Sequence, residues 1–254
     1  KGKSAYPEGS SALDYVQSNA EARRIYLKAD GSPYDAGETL RNPDYGRTLR
    51  HLARRGPDDF YHGELADRMA KDLEEHGSFV TADDLSAYRM RDMDPVVGAY
   101  RGYTVVSSPA PHGGPTLLAM LNILEGYDLA SLGHNTPEYI YLVAMAMKAA
   151  FADRNPYLGD PLHVDVPVDW MISKERAAYW RGQIDAGKPI AVDFTPAGSP
   201  NTTHVTVVDR EGNCVALTHS LGSSSGVITP GVGFMYNYSM INFHPYAGHA
   251  NSIA

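Results

Sequence analysis

The stretch that decides the fold is residues 201–217, NTTHVTVVDREGNCVAL. Its β-branched run at 203–208 predicts a strand, and residues 209–213 have the composition of a hairpin turn. Residues 214–221 then predict the returning strand. Because mostly helical patterns precede this hairpin, the sequence predicts an α+β protein in which helices give way to strands near residue 201.

Helical patterns dominate the chain before that point. Apolar residues recur on one face in residues 11–27 and 58–76, and Thr81 is expected to cap a short helix. The other expected elements are a short strand at 103–107, helices at 116–124, 174–184 and from 136 to the turn at 153–160, and a Gly- and Pro-rich linker at 186–200. The change from helix to strand after this linker divides the chain into residues 1–201, mainly helical, and 202–254, mainly strand.

Composition excludes several classes of function. The 254 residues include 22 Lys and Arg against 30 Asp and Glu, for a formal net charge of −8. A nucleic-acid partner is not expected, because phosphate backbones need a basic face. No apolar run approaches the roughly 20 residues of a membrane-spanning helix, so no span is predicted. The single cysteine, Cys214, permits no internal disulfide and indicates no compartment. Since the chain lacks an initiator Met, we expect an internal piece of a longer protein.

The start of the hairpin carries residues that could perform chemistry. If the bond between Asn201 and Thr202 were cut, Thr202 would carry a nucleophilic hydroxyl and a free α-amine with a reference pKa of about 8. The amine could then act as the base for a hydroxyl that is otherwise a poor nucleophile. Residues 201–203 also match an N-x-T glycosylation sequon, and residues 237–239 match N-x-S, so spacing alone leaves both interpretations open.

Motifs in other parts of the chain help to interpret this hairpin. From about Tyr34 to its end, the sequence resembles the γ-glutamyltransferase family of N-terminal-nucleophile hydrolases. The similar segments are GPDDFYHGELADRMA (56–70), TADDLSAY (81–88), YRGYTVVSSPAPHGGPTLLAMLNILEGYDL (100–129), AFADRNPYLGDP (150–161) and the hairpin itself. The resemblance implies a four-layer αββα sandwich, present here only in part, and a precursor that cuts itself before Thr202. Residues 1–201 would be the C-terminal part of the large subunit, and residues 202–254 the N-terminal part of the small subunit.

The resemblance also implies roles for individual residues. Thr202 falls at the family's nucleophile, with Asn201 before the cleaved bond. Ser220 falls at the hydroxyl residue that hydrogen-bonds the nucleophile. Gly222 stands where the family has an Asn that helps bind the substrate α-carboxylate, and Ser223 could offer a substitute hydroxyl there.

Two further substrate-binding positions depart from the family pattern. In FMYNYSMINF, expected as a strand at 234–243, Ser239 stands at the family's Gln. Asn242 stands at the Asp that pairs with the α-ammonium of γ-glutamyl substrates. A buried ammonium needs an opposing charge, which a carboxamide does not supply. We therefore expect weaker γ-glutamyl selectivity, activity on related small-molecule amides, and hydrolysis in preference to transfer. No cofactor and no metal are implied.

Some of the family's machinery has no counterpart in residues 1–254, namely the oxyanion-hole glycines and an arginine that grips the substrate carboxylate. Losing a single oxyanion donor costs about 100-fold or more in rate, so this piece alone is expected to be almost inactive. Its expected partners are the small-molecule substrate and the other subunit of a heterodimer formed by self-cleavage.

Two other classes of function remain open at this point. One is a non-catalytic or incomplete relative that only binds small molecules. The other is a metal hydrolase built on His204, His219, His244 and His249, although no carboxylate or cysteine falls at a recurrent ligand spacing from them.

Overall fold

The computed structural model describes residues 11–192, 202–244 and 246–252. In chain order the elements are α1 Ala12–Ser18, α2 Ala20–Tyr26, α3 Pro43–Arg55, α4 Asp59–His62, α5 Glu64–Glu75, α6 Ala82–Ala87, β1 Val96–Tyr100, β2 Tyr103–Ser107, α7 Gly114–Leu124, α8 Pro137–Tyr157, α9 Val168–Met171, α10 Lys174–Asp185, β3 Thr202–Val208, β4 Cys214–Ser220 and a 3-10 helix, Ser239–Asn242. They fall into two compact units, Lys1–Arg91 with Ala197–Asn242, and Asp92–Pro196 with Phe243–Ala254. Most of the expected linker, residues 193–200, lies outside the described residues.

The first unit begins with two short helices where the sequence predicted one. Ser11 and Asp14 form a reciprocal capping box at the start of α1. Asn19 then adopts extended backbone angles, and its side chain accepts the Ala22 N–H at 2.9 Å. Because Asn19 caps a new helix without disturbing the apolar spacing, the periodic pattern alone does not reveal the break.

A glycine divides the predicted helix at 58–76 in a similar way. Helix α4 ends at His62 and α5 begins at Glu64, with Gly63 in an extended conformation between them. A β-carbon on Gly63 would lie 2.3 Å from an oxygen of the Asp59 carboxylate. The turn between the two helices therefore requires a residue without a side chain. The short helix expected after Thr81 is confirmed as α6, which opens with a capping box between Thr81 and Asp84.

The helix α3 is not among the expected elements, although its first residues carry helix-start signals. Asn42 accepts the Tyr45 N–H at 3.0 Å, and Pro43 occupies the first helical position. The buried residues of this helix are Asp44 and Thr48, both polar. Tyr45, Leu49 and Leu52 lie four and three residues apart on α3, and Leu52 packs against the core of the unit. An apolar stripe at helical spacing is therefore present, although most residues of the helix are polar.

The core of the first unit joins its helices to the chain that follows the β3–β4 hairpin. Ile25, Leu65 and Met69 pack in one cluster with Ile228 and Val232, and each of these side chains is less than a tenth exposed. Burying an aliphatic side chain of this size contributes about 1.5–3 kcal/mol. The segment after the hairpin is thereby held against α2 and α5.

Buried polar contacts hold the same segment. The Thr48 hydroxyl donates to the Val232 carbonyl at 2.8 Å. The Thr229 hydroxyl donates to the Asp72 carboxylate at 2.5 Å and lies 2.7 Å from the Tyr236 hydroxyl. Burial raises the pKa of Tyr236 to about 12, so its phenol keeps the proton that it donates. These contacts position the residues that follow, 237–242.

The second unit is built on α7, α8 and α10. Its core cluster contains Ile123 from α7, Ala146 and Ala149 from α8, and Ala177 and Ile184 from α10. Thr136 caps α8 through the Tyr139 N–H, and the helix ends at Tyr157, inside the turn motif at 153–160 where its end was expected. In the described part of the chain, no helix is both long and apolar enough to cross a membrane.

The strands form two antiparallel hairpins. β1, which the sequence did not predict, pairs with β2 through a turn at Arg101 and Gly102, both with positive φ, as in a type I′ turn. β3 pairs with β4, and every residue of both strands is exposed. In the described residues these are two separate two-stranded sheets, so the expected four-layer αββα sandwich is not confirmed by them.

The predicted strand at 234–243 is wrong. An isolated antiparallel bridge joins Asn237 to Ser224, and the chain then turns into the 3-10 helix Ser239–Asn242. The Asn237 side chain accepts the Ser239 N–H at 3.0 Å, which is the local hydrogen bond that starts such a turn. The strand was expected from the resemblance to the family, but this side-chain contact ends the extended conformation.

Candidate active site

The β3–β4 register determines which residue faces Thr202. Seven residue pairs run from Val208 and Cys214 at the turn to Thr202 and Ser220 at the open end. Both strands are seven residues long, so the first residue of β3 faces the last residue of β4. A shift of one residue would move every side chain to the opposite face of the hairpin. The register therefore places the hydroxyls of Thr202 and Ser220 side by side.

The turn at 209–213 holds this register. One Asp209 carboxylate oxygen accepts the backbone N–H groups of Glu211 and Asn213 at 3.0 and 2.8 Å, and the other accepts the Asn213 side-chain amide at 2.7 Å. The hydrogen bonds from Asn213, first from its side chain and then from its backbone, hold the pKa of Asp209 below its usual value. Gly212 supplies a positive φ of 87°. The predicted hairpin is thus confirmed, together with its turn chemistry.

Thr202 and Ser220 form a hydroxyl pair at the open end of the hairpin. The Thr202 Oγ1 lies 3.2 Å from the Ser220 Oγ, within hydrogen-bond distance. The Ser220 Oγ also accepts the Gly222 backbone N–H at 2.9 Å. The Thr202 hydroxyl is the donor in this pair, so the Ser220 oxygen accepts both hydrogen bonds. Once the Thr202 oxygen loses its proton, the Ser220 hydroxyl can turn and donate to it. The arrangement can stabilise negative charge that develops on the Thr202 oxygen.

Gly222 brings this pair next to Ser239. The glycine is buried and has a φ of 71°, which side chains rarely adopt. A β-carbon at this position would lie 2.8 Å from the Ser239 Cα and 2.9 Å from its Oγ. The predicted substrate-binding residues Gly222 and Ser239 are therefore neighbours. An asparagine at position 222, as in the family pattern, would require the 3-10 helix to move.

The 3-10 helix carries the other predicted substrate-binding position. Ser239 begins this helix and Asn242 ends it, and Asn242 is exposed. A backbone hydrogen bond of 2.7 Å from the Tyr238 N–H to the Leu221 carbonyl ties the helix to the end of β4. The Asn237 side chain accepts the Ser239 N–H and so helps to position the start of this helix. The sequence indicated Asn237 only as part of an N-x-S sequon. An asparagine two residues before a turn is a recognised turn signal and could have identified it.

Ser223 and its neighbour Ser225 are part of the supporting structure. Ser223 is 1% exposed. The Ser225 hydroxyl donates to the Tyr236 carbonyl at 2.6 Å and accepts the Val227 N–H at 3.1 Å. A substrate contact by Ser223 stays a prediction, and its burial means that such a contact would need local opening. Asn201, the residue before the expected cleavage point, lies outside the described residues.

The histidines that suggested a metal hydrolase have other contacts. The two ring nitrogens of His204 lie 2.8 Å from the Thr218 hydroxyl and 3.1 Å from the Thr206 hydroxyl. The His244 and His249 rings are stacked with centroids 3.5 Å apart. In residues 11–192, 202–244 and 246–252, no group of three or more His, Cys, Asp or Glu side chains has a geometry that could hold a metal ion.

Comparisons with known proteins identify the family of this chain. A profile of the gamma-glutamyltranspeptidase family matches residues 5–254. The glutathione hydrolase proenzyme of Pseudomonas sp. (strain A14) is 36% identical over 250 residues, which cover 95% of this chain and 43% of that protein. The acylase ACY 1 proenzyme of Pseudomonas sp. (strain V22) is 38% identical over 233 residues, which cover 90% of this chain and 42% of that protein.

Solved structures that are similar to this chain likewise include an acylase and a gamma-glutamyltranspeptidase. The cephalosporin acylase from Bacillus halodurans matches with a TM-score of 0.74 and 28% identity, covering 89% of this chain and 41% of that one. The gamma-glutamyltranspeptidase from Helicobacter pylori matches with a TM-score of 0.65 and 33% identity, covering 73% of this chain and 52% of that one.

These similarities first define a class, the N-terminal-nucleophile hydrolases that include transpeptidases and acylases. Within that class, the chain belongs to the gamma-glutamyltranspeptidase family. It spans about two fifths of the length of the curated relatives described above. The resemblance inferred from the sequence motifs is confirmed.

Proposed function

We propose that the full-length protein containing this chain is an amidohydrolase that cuts itself before Thr202 and then uses Thr202 as its nucleophile. The observation that carries the proposal is the hydroxyl pair of Thr202 and Ser220, 3.2 Å apart, with Ser220 held by the Gly222 N–H. Membership of a family whose relatives include proenzymes of glutathione hydrolases and acylases supports it.

The first reaction is cleavage of the chain. The Thr202 hydroxyl oxygen attacks the Asn201 carbonyl carbon, and the peptide C–N bond breaks as the amide nitrogen gains a proton. The product is an ester between Asn201 and the Thr202 side chain. Water then hydrolyses that ester, leaving a carboxylate on Asn201 and a free amine and free hydroxyl on Thr202. The two resulting polypeptides would be the large and small subunits of a heterodimer.

The second reaction uses the new N-terminus on a substrate amide. The Thr202 amine accepts the proton of the Thr202 hydroxyl as its oxygen attacks the substrate carbonyl carbon. The C–N bond breaks, the amine product leaves with that proton, and an acyl-enzyme ester remains. Water resolves the ester to a carboxylic acid and regenerates the threonine. In this proposal the Ser220 hydroxyl, which accepts from Thr202 before the reaction, turns to donate to the Thr202 oxygen as that oxygen loses its proton.

We further propose that β3 and β4 lie within a four-layer αββα sandwich in the full-length protein. Their apolar side chains support this, because Val205, Val207, Val215 and Leu217 are each 48% or more exposed. A two-stranded hairpin is only marginally stable by itself in water. Apolar residues on such a hairpin are expected to pack against further strands and helices of the longer protein.

Self-cleavage is tested on the purified wild-type protein. Intact mass spectrometry is expected to find two polypeptides, and end-group sequencing is expected to find Thr202 as the first residue of the smaller one. A fully active protein whose Asn201–Thr202 bond is intact would contradict the proposal. It would favour the metal-dependent alternative, whereas an uncut protein without activity would favour the non-catalytic one.

For the substrate, we propose an amide that lacks the γ-glutamyl α-ammonium group, or one in which that group contributes little to binding. Asn242 supports this, because an uncharged carboxamide stands at the end of the 3-10 helix that begins beside Gly222. The similarity to an acylase at 38% identity is consistent with it. Without a counter-charge from residue 242, an ammonium group gains little on leaving water.

Changing Asn242→Asp is expected to shift selectivity toward γ-glutamyl substrates. The ratio of kcat/KM for a γ-glutamyl anilide to that for the matching glutaryl anilide should rise about tenfold or more, because a carboxylate pairs with the α-ammonium that only the first substrate has. The measurement is a steady-state comparison of both substrates on the full-length enzyme.

The matched control is Asn237→Asp, which adds the same charge five residues earlier and retains an acceptor for the Ser239 N–H. It should leave the substrate ratio within about twofold of wild type, since charge alone at this surface is screened by salt. Equal shifts in both variants would show that position 242 makes no specific contact, while leaving the Thr202 mechanism intact.

A further inference from the structure

The first unit contains a cavity that takes no part in the site described above. Its volume is about 310 Å³, and its walls come from one face of α3, the first turns of α5 and the loop at Gly231. Four of the lining side chains are arginines, and we refer to the site as the arginine pocket, defined by Arg47, Arg50, Arg54, Arg68 and Gly231.

The spacing of these residues explains their convergence. Arg47, Arg50 and Arg54 lie three and four residues apart on α3, so they share one face of the helix. Arg68 approaches the same space from α5. Like charges at these spacings destabilise a helix by roughly 0.2–0.5 kcal/mol per pair. These arginines are exposed, so water solvates them, and a negative charge at the opening would compensate for their remaining repulsion.

The protein supplies only part of that compensation. Arg47 pairs with Asp44, which is shared with Arg24. Arg68 lies 3.3 Å from Glu64, the acidic residue of the pocket lining. Neither Arg50 nor Arg54 has an ion pair with any of the described residues. This excess of positive charge occurs in a chain with a formal net charge of −8.

The opposite wall of the pocket depends on a glycine. Gly231 has a φ of 81°, and a β-carbon there would lie 3.3 Å from a guanidinium nitrogen of Arg68. The neighbouring Val232 is fixed, because its carbonyl accepts the buried Thr48 hydroxyl at 2.8 Å. The loop is thus held close to the arginines without a side chain that would fill the space between them.

From this geometry we propose that the arginine pocket binds a small, doubly charged oxyanion, either inorganic phosphate or the phosphoryl group of a small metabolite. Guanidinium groups match phosphate oxygens with paired, charge-assisted hydrogen bonds, so two unpaired arginines suit a dianion. A cavity of about 310 Å³ is at the small end of the range for ligand sites, which favours a small molecule. The proposal does not depend on the chemistry at Thr202.

Binding is tested by calorimetric titration of the full-length protein with inorganic phosphate and with pyrophosphate, at constant ionic strength maintained with chloride. Saturable binding of one anion per chain is expected. The double variant Arg50→Gln/Arg54→Gln should weaken that binding about tenfold or more, because it removes two charged donors. Repeating the titration on the Thr202→Ala variant should give the wild-type affinity, which separates this proposal from the proposed function.

The matched control is Arg41→Gln/Arg55→Gln, which removes the same charge from residues near the two ends of α3 that do not line the pocket. Its phosphate affinity should stay within about twofold of wild type, since salt screens the field of exposed charges that lie outside the pocket. The proposal is overturned by an absence of saturable binding, or by equal losses in the two double variants. Tighter binding of citrate than of phosphate or pyrophosphate would likewise overturn it, by assigning the pocket to carboxylates.

Discussion

The full-length Thr202→Ala variant is expected to remain a single uncut polypeptide and to lose about 10⁴-fold or more of its amide-hydrolysing activity. In the proposed mechanism, the hydroxyl of Thr202 performs both attacks, first on the Asn201 carbonyl and then on the substrate carbonyl. Ser220 cannot replace it, because Ser220 is the last residue of β4 and its nitrogen belongs to a peptide bond. It therefore has no free amine to act as the base. The measurements are intact mass spectrometry and hydrolysis of a panel of glutaryl and γ-glutamyl anilides.

Two further variants test whether the loss of cleavage and activity comes from the Thr202 hydroxyl itself. Thr202→Ser retains a hydroxyl and is expected to be cut and active, at a reduced rate. Thr203→Ala removes the hydroxyl of the next residue, which stands opposite His219 in the strand register, and this variant should be cut like the wild type. A Thr202→Ala protein that stays uncut and is still active would contradict the mechanism. Equal losses in Thr202→Ala and Thr203→Ala would show that the hairpin, and not one hydroxyl, had been disturbed.

The second large effect is expected for Asp153→Ala, which should destabilise the second unit by about 3–5 kcal/mol. The Asp153 carboxylate is 2% exposed and accepts from the Arg176 guanidinium at 2.9 and 2.5 Å. It also accepts the Trp180 indole N–H at 2.7 Å. Removing the carboxylate leaves a largely buried guanidinium and an indole N–H without their acceptor, and such groups are costly to bury unpaired.

The surroundings of Arg176 strengthen this expectation. Its guanidinium carbon lies 4.5 Å from the ring centroids of Trp170 and Tyr179, and 4.8 Å from that of Trp180. Hydrogen bonding to Asp153 raises the pKa of Arg176 above its usual value, so the arginine keeps its charge. Aromatic faces stabilise a cation but cannot replace a carboxylate that forms two hydrogen bonds.

Urea denaturation followed by tryptophan fluorescence measures the effect, because both tryptophans of this chain, Trp170 and Trp180, adjoin Arg176. Asp169→Ala is the matched control, since Asp169 is exposed, and its substitution should change stability by no more than about 0.5 kcal/mol. Combining Asp153→Ala with Arg176→Met should cost less than the sum of the single changes, because the double variant leaves no unpaired charge. Additive costs would show that the ion pair is not the source of the stability.

Local signals predicted most of the elements correctly. The sequence predicts Thr81 as a helix cap and residue 136 as the start of the long helix, and both threonines cap their helices because a hydroxyl accepts a backbone N–H three residues on. The β3–β4 hairpin was recognised for a similar reason, since Asp209 and Gly212 form the turn from their own short segment. Errors occurred where a local side-chain contact changed the backbone conformation, as at Asn19 and Asn237. The helix α3 was missed although Tyr45, Leu49 and Leu52 recur at helical spacing, because charged residues make up much of its sequence.

In the candidate site, too, some features follow from the local sequence and others depend on the tertiary structure. The position of Thr202 and its pairing with Ser220 follow from counting residues along one hairpin. The contact between Gly222 and Ser239 does not follow from any such count. It depends on the docking of residues 228–236 through Thr229 and its contacts with Asp72 and Tyr236, and Asp72 lies 157 positions from Thr229 along the chain.

By itself, the sequence determined the family, the hairpin and the threonine at its first position, because all three depend on residue types at short, regular spacings. Only the tertiary structure decided that Gly222 meets Ser239, that Asp153 is buried under Arg176, and that four arginines surround one cavity. Those arrangements arise from packing between segments far apart in the chain, where burial and hydrogen bonding depend on the whole surroundings of each residue.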